Sequence, residues 1–313
     1  MKNSDKGLSA RLRNALAVNE KARLNFPGVF MDLTGSTLAN DDVVFEFDDG
    51  ALFRDGRGEL NWPTLGVVLD VALGSVVRIK SGPTMRPATV QLQVHMTGAP
   101  TQGHLVTRSS FTGFSGRSAL THALTTGTIS AGDTVIAHTS GEFVMLPLPE
   151  GITQDPMPWE GPRVSAESPK IRDLDANDRA ALNTCRRAEA AASAEHPFIE
   201  HFWCGIPQAG DGKARLTVKV TPHLGNRIGH VHGGLLLGLA ARVASAAVPG
   251  TMRLSNISTW FISPGLAPSL KVRSAVIQQG RNLAVVRTQI TSATGKLVLE
   301  ATSQHLAVSA SAG

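Results

Sequence analysis

Two segments of this 313-residue chain, Leu65 to Arg78 and Val231 to Ala241, are apolar on nearly every side and of helix length. Such a helix cannot leave a face to water and must be wrapped. The wrapper at hand is the chain just downstream of each segment, a series of extended runs joined by turns. After the first come Ala88 to Met96, His104 to Thr112, Ser118 to Thr128 and Thr134 to Leu146, with Ser130-Ala131-Gly132-Asp133 as a hairpin turn. After the second, four extended runs start at Arg253 and include a Thr294-Gly295 turn. Strand-like sequence also precedes each helix: Val43 to Phe47, closed by Asp48-Asp49-Gly50, in the first half, and His201 to Ile206 and Ala214 to Val220 in the second.

This order of elements, met twice, points to duplication. With an offset of 171, Asn226 falls on Asp55, Gly229 on Gly58, His232 on Asn61, Gly233 on Trp62, Gly234 on Pro63 and Ala241 on Asp70. With small gaps, Gly280-Arg281 falls on Gly116-Arg117, Gly295 on Gly132, and Thr302-Ser303 on Thr139-Ser140. The implied organisation is an N-terminal helical arm at 1–25, with Leu8, Leu12, Leu16 and Ala17 set among Lys and Arg, then a first repeat at 26–146 that begins strand-like and loop-rich. A Pro- and Gly-rich linker covers 147–170, a connecting helix 171–195 and the second repeat 196–308. The fold class is α+β, each repeat a central helix wrapped by a curved antiparallel sheet.

Composition bounds the function more loosely. Apolar residues make up 42% and charged residues 18%, as in an ordinary globular chain. Cys185 and Cys204 are the two cysteines, so there is neither a disulfide framework nor zinc-ligand spacing, and His95, His104, His122 and His138 lie ungrouped on expected strands. The N-terminus lacks a signal-peptide core, and the run ending at Ala241 is too short to span a bilayer. A cytoplasmic protein without membrane or nucleic-acid partners is expected. The net charge of +5 suits an anionic small molecule.

The stretch Asn226 to Val243 sets an Asn, a Gly turn and His232-Gly233-Gly234 directly before the second apolar helix. Its first N–H groups lack intrahelical partners and sit at the positive end of the helix dipole, so they attract negative charge. The pattern resembles that of hotdog-fold acyl-CoA thioesterases of the phenylacetate-degradation and 4-hydroxybenzoyl-CoA type. Phe261-Ile262-Ser263-Pro264 and the Gly280-Arg281 turn extend the likeness over about residues 196 to 308, and more faintly over 26 to 146. The family carries an acid nine residues after the His. Here that position holds Ala241, whereas the first repeat, which reads Asn61-Trp62-Pro63 at its helix start, keeps the acid as Asp70.

The resemblance implies a tandem double hotdog in which two half-sites make one: Asp70 facing Asn226, His232, Gly233 and Gly234. The Gly233 N–H would bind the thioester oxygen, Asp70 would be nucleophile or general base, and Asn226 would orient water or the carboxylate, unless it is an ordinary turn residue. His232 either handles a proton or shapes the turn, and Thr89 either bonds Asp70 or is a plain strand residue. Arg281, Arg287 and Arg117, with Arg108, are the candidates for the CoA phosphates. CoA enters as part of the substrate; no metal or redox cofactor is implied. The site pairing Asn61-Trp62-Pro63 with Ala241 would be dead, Trp62 filling its pocket. A homodimer of such chains is expected. A non-catalytic acyl-CoA-binding protein and a hotdog hydratase or dehydratase are the alternatives.

Overall fold

The computed structural model describes residues 4–22, 26–48, 50–115, 121–148, 150–151, 157, 159, 168–203, 205–226 and 229–308. The first repeat is preceded by α1 (Ser4–Ala22) and α2 (Phe26–Met31) and comprises β1 (Thr34–Thr37), β2 (Val43–Asp48), α3 (Trp62–Lys80), β3 (Met85–Met96), β4 (His104–Ser115), β5 (His122–Ala131) and β6 (Thr134–Pro147). Then come α4 (Ala176–Ala191) and α5 (Phe198–Trp203). The second repeat has β7 (Gln208–Gly210), β8 (Lys213–Lys219), α6 (Gly233–Ala246), β9 (Met252–Phe261), β10 (Ser269–Gln279), β11 (Leu283–Ser292) and β12 (Leu297–Ala307).

The strands form one antiparallel sheet in the order β1-β2-β4-β5-β6-β3-β9-β12-β11-β10-β8-β7. Read outward from its centre, both halves run in the same order, which is the duplication seen in the sequence. The halves meet where β3 pairs with β9, from Gln91 opposite Trp260 to His95 opposite Asn256. The two repeats, expected to pair as a dimer within one chain, are joined by two strands that would otherwise be open edges and that satisfy each other's backbone groups. Alternation of buried and exposed residues along β8 and β10 puts the apolar set under the helices.

α3 and α6 lie back to back within the curve of this sheet. α3 is long and apolar enough to cross a bilayer by length and composition, yet most of it is buried between sheet and partner helix. Glycines let the two backbones touch: a Cβ on Gly66 would lie 2.1 Å from the Gly234 carbonyl oxygen, and one on Gly238 would lie 2.2 Å from Pro63 Cα. Leu65, Leu69 and Leu73 of α3 and Leu235, Leu237 and Leu239 of α6 are buried in the shared core.

Two short segments expected to be extended are helical. His201 to Ile206 was expected as a strand, but Phe198–Trp203 is α5, burying Phe198, Ile199, Phe202 and Trp203 on one helical face. Phe26–Met31 is likewise α2, with Phe26 and Phe30, one turn apart, stacked at 5.7 Å. Aromatic residues favour strands in isolation, and here burial of a helical face outweighs that preference. Phe202 stacks on His223 at 4.5 Å, joining α5 to the second repeat. The connecting helix, expected from residue 171, starts at Ala176, where the Asp175 side chain accepts the Asp178 N–H at 2.7 Å.

His223 and His305 are buried, and burial pushes both imidazoles down to about 4. Each is neutral in the folded chain and takes up a proton on unfolding once the pH drops below its ordinary value near 6.5. Their contribution is therefore fully present above pH 6.5 and lost as the pH falls toward 4, on the order of 3 kcal/mol each at the acid limit. Denaturant unfolding at pH 7.5, 5.5 and 4.5 should show a steep fall, and a flat profile would refute the burial argument. Gly66→Ala should cost roughly 2 kcal/mol or more by overpacking the helix contact, read from the same titration at pH 7.5.

Candidate functional site

The α6 start is built by a tight loop. The Asn226 N–H donates to the His230 carbonyl oxygen at 2.7 Å, and the His230 N–H donates back to Asn226 Oδ1 at 3.0 Å. Gly229 in this turn has φ 79°, a left-handed conformation that favours glycine. The His232 N–H donates to the Leu224 carbonyl oxygen at 2.8 Å, fixing where the helix begins.

Asp70, two turns into α3, reaches this helix start from the other repeat. The Gly234 N–H donates to Asp70 Oδ2 at 2.8 Å and to His232 Nδ1 at 3.1 Å, a single donor shared by two acceptors. The Thr89 hydroxyl, from β3, donates to Asp70 Oδ1 at 3.0 Å. Asp70 is only 8% exposed, and a carboxylate taken that far from water needs such partners. The dipole of α6 adds a favourable field at its N-terminus. His232 Nδ1 lies 3.3 Å from Asp70 Oδ2. Burial pushes the imidazole below its usual range, against the pull of Asp70, so the ring is neutral and Nδ1 serves as acceptor.

Gly233 leads into this arrangement. A Cβ there would sit 2.7 Å from Asp70 Oδ2 and 3.4 Å from Thr89 Oγ1, so any larger residue would push the acid away. Its N–H makes no hydrogen bond among the described residues, which leaves it available to an incoming oxygen.

Of the residues singled out in the sequence, the structure thus brings together Asp70, Thr89, His232, Gly233 and Gly234. The Asn226 side chain is used within its own turn. The arginines lie elsewhere: Arg287 is exposed on the outer face of the sheet and donates to Glu300, and Arg108 is exposed on β4. Arg281 lies in the hairpin beside Asn282, whose carbonyl binds the Ala307 N–H opposite Met252, at the C-terminal end of α6 rather than its start. Arg117 lies outside the described residues. Arg86, not anticipated, stands close enough to His230 to push its imidazole down together with burial.

The matching position in the first repeat has been rebuilt. Asn61 caps α3 without a side-chain bond, both of its amide atoms are buried and unpartnered among the described residues, and Pro63 has no N–H. Ala241, in the place of an acid, is fully buried, and Trp62 packs partly buried against the core. Next to Ala241, Arg242 grips Glu200 of α5 through two bonds of 2.7 and 2.6 Å, and His196 Nδ1 lies 3.0 Å from Glu200 Oε2. Burial alone would raise the Glu200 carboxyl, but Arg242 and His196 together hold it below the usual range. Nothing in the run Phe198-Ile199-Glu200-His201-Phe202-Trp203 announces this ion pair, because Arg242 is 42 positions away.

Residues 221–308, which include the α6 start, match the family model described as the acyl-CoA thioesterase N-terminal domain. No curated protein sequence matches the chain. Among solved structures, a conserved protein with a hot dog fold from Alicyclobacillus acidocaldarius is similar at 12% identity and a TM-score of 0.54, covering 88% of this chain and 96% of its own. An acyl-ACP thioesterase from Bacteroides thetaiotaomicron is similar at 11% identity and a TM-score of 0.51, covering 84% and 97%. Both likenesses span the two repeats and establish the fold. The chain is a tandem hotdog protein, and residues 221–308 of its second repeat are similar to an acyl-CoA thioesterase domain.

Proposed function

We propose that the chain hydrolyses an acyl-CoA thioester at one composite site, with the acid supplied by the first repeat and the helix start by the second. The observation that carries this reading is the 2.8 Å hydrogen bond from the Gly234 N–H to Asp70 Oδ2, which sets a carboxylate beside the free Gly233 N–H. Asp70 acts as general base. It takes a proton from water, the water oxygen attacks the thioester carbonyl carbon, and the carbonyl electrons move onto an oxygen facing the Gly233 N–H. Collapse of this intermediate breaks the C–S bond, and the departing CoA sulfur takes the proton from Asp70. A helix-start donor of this kind is worth about 3 kcal/mol in other hydrolases.

Thr89 and the Gly234 N–H hold one carboxylate oxygen each, which fixes the direction in which the base points. Neutral His232 positions the shared N–H rather than carrying the proton. The Asn61-Trp62-Pro63 end faces no acid, and Pro63 lacks the N–H that Gly234 gives to Asp70, so it is assigned no turnover. The reading includes an acyl-CoA substrate, no resident metal or redox cofactor, and a cytoplasmic homodimer of chains; light scattering on the purified protein measures the last of these.

Asp70→Asn should lower kcat for acyl-CoA hydrolysis by about 10³-fold, monitored by free-thiol release, with circular dichroism unchanged. Activity within tenfold of wild type would overturn the composite site. Single turnover in ¹⁸O-water should label only the acid product; label in Asp70 would make it a nucleophile instead. Gly233→Ala should cost on the order of 10²-fold by displacing the carboxylate. Ala241→Asp should gain no activity and lose several kcal/mol of stability, since it puts a carboxylate where a methyl group is fully buried.

A further inference from the structure

The outer face of the sheet near its β7 edge carries charge that nothing among the described residues balances. Lys213, Arg215 and Lys219 of β8 and Lys271 and Arg273 of β10 are all exposed on that face. Among the described residues none of the five has an ion-pair partner. The strand register sets Arg273 directly opposite Arg215, and Lys271 opposite Thr217. Like charges facing each other across neighbouring strands, with backbones about 5 Å apart, oppose folding.

Edge protection does not account for this arrangement. Cations on an exposed strand edge discourage pairing with other chains, and Lys219, beyond the reach of short β7, fits that role. β10, however, lies inside the sheet between β8 and β11, so Lys271 and Arg273 guard no edge. Arg215, Thr217, Lys271 and Arg273 line a groove of about 440 Å³ together with Ile206 and Gln208. Arg215 Nε donates to Gln208 Oε1 at 3.0 Å, which holds the guanidinium at the β7 side of the groove and leaves its terminal nitrogens unpaired among the described residues.

We propose that this groove binds a diphosphate-bearing small molecule. One phosphoryl group sits in the fork of the opposed Arg215 and Arg273 guanidiniums, whose planar donors match its oxygens. The second, joined to it through the bridging oxygen, is within reach of the flexible Lys271 side chain, whose backbone stands about 6.7 Å further along β10, and of the Thr217 hydroxyl opposite it. The bound anion removes the repulsion that the register builds in. Ile206 offers an apolar wall to whatever the diphosphate carries, so inorganic pyrophosphate and a nucleoside diphosphate share the anchoring chemistry and differ only there. The site is on the far side of the sheet from Asp70 and does not depend on the reading given to that residue.

Calorimetric titration of the full chain with pyrophosphate and with ADP at low salt tests the proposal. Wild type should bind at least one of them, and Arg273→Gln should weaken that binding at least tenfold while acyl-CoA turnover stays at the wild-type rate. Tighter ADP than pyrophosphate assigns the Ile206 wall to the base, and equal affinities assign recognition to the diphosphate alone; both support the site. Without ligand, Arg273→Gln should melt at or above the wild-type temperature, and pyrophosphate should raise the melting temperature of wild type only. Wild-type affinity in Arg273→Gln overturns the proposal. So does the absence of binding by both probes at millimolar concentration, or binding of a single-stranded oligonucleotide where pyrophosphate fails.

Discussion

The close approach of α3 and α6 is the constraint on which the rest of the molecule depends. Because Gly66, Gly234 and Gly238 bring backbone against backbone, the start of α6 sits within hydrogen-bond reach of an acid two turns into α3. With ordinary side chains at those positions the helices would stand a few ångströms further apart, and the Gly234 N–H and Asp70 would be separated by that distance. The same contact carries the fold, since two helices apolar all round cover each other on the face that the sheet leaves open.

Joining two repeats in one chain freed each half of the duplicated site to change alone. One pairing keeps a donor, an acid and a hydroxyl that satisfy one another in a nearly dry setting. The other has lost to Pro63 the N–H that matches Gly234 and to Ala241 its acid, and the adjacent space holds the Glu200–Arg242 pair that ties the connecting segment to α6. A buried ion pair is costly to desolvate, so its two short bonds and the nearby His196 are what make it tolerable there.

Much of the fold was legible in the sequence. The two apolar helices, the hairpin at Gly132, the turn at Gly295 and the connecting helix come from periodicity and turn chemistry, which act over a few residues. α2 and α5 were not legible, because six residues rich in Phe and Trp carry strand preference and helix spacing at once, and only their buried neighbours decide between them. The joining of β3 to β9 was hidden for a similar reason: pairing between strands far apart in sequence leaves no local trace.

For the site, the sequence by itself determined the chemical parts: a helix start with glycines, an acid kept in one repeat and lost from the other, and a proline where a donor would be. Those are properties of residue type and spacing. Tertiary structure alone decided which amide meets Asp70, that the Gly233 N–H is left open while the Gly234 N–H is shared, and that the Asn226 side chain is spent in its own turn. It also set Arg281 and Arg287 away from the acid and Arg215 opposite Arg273. Each of these turns on distances of an ångström or two between elements remote in the chain, which are fixed by packing and strand register rather than by any local pattern.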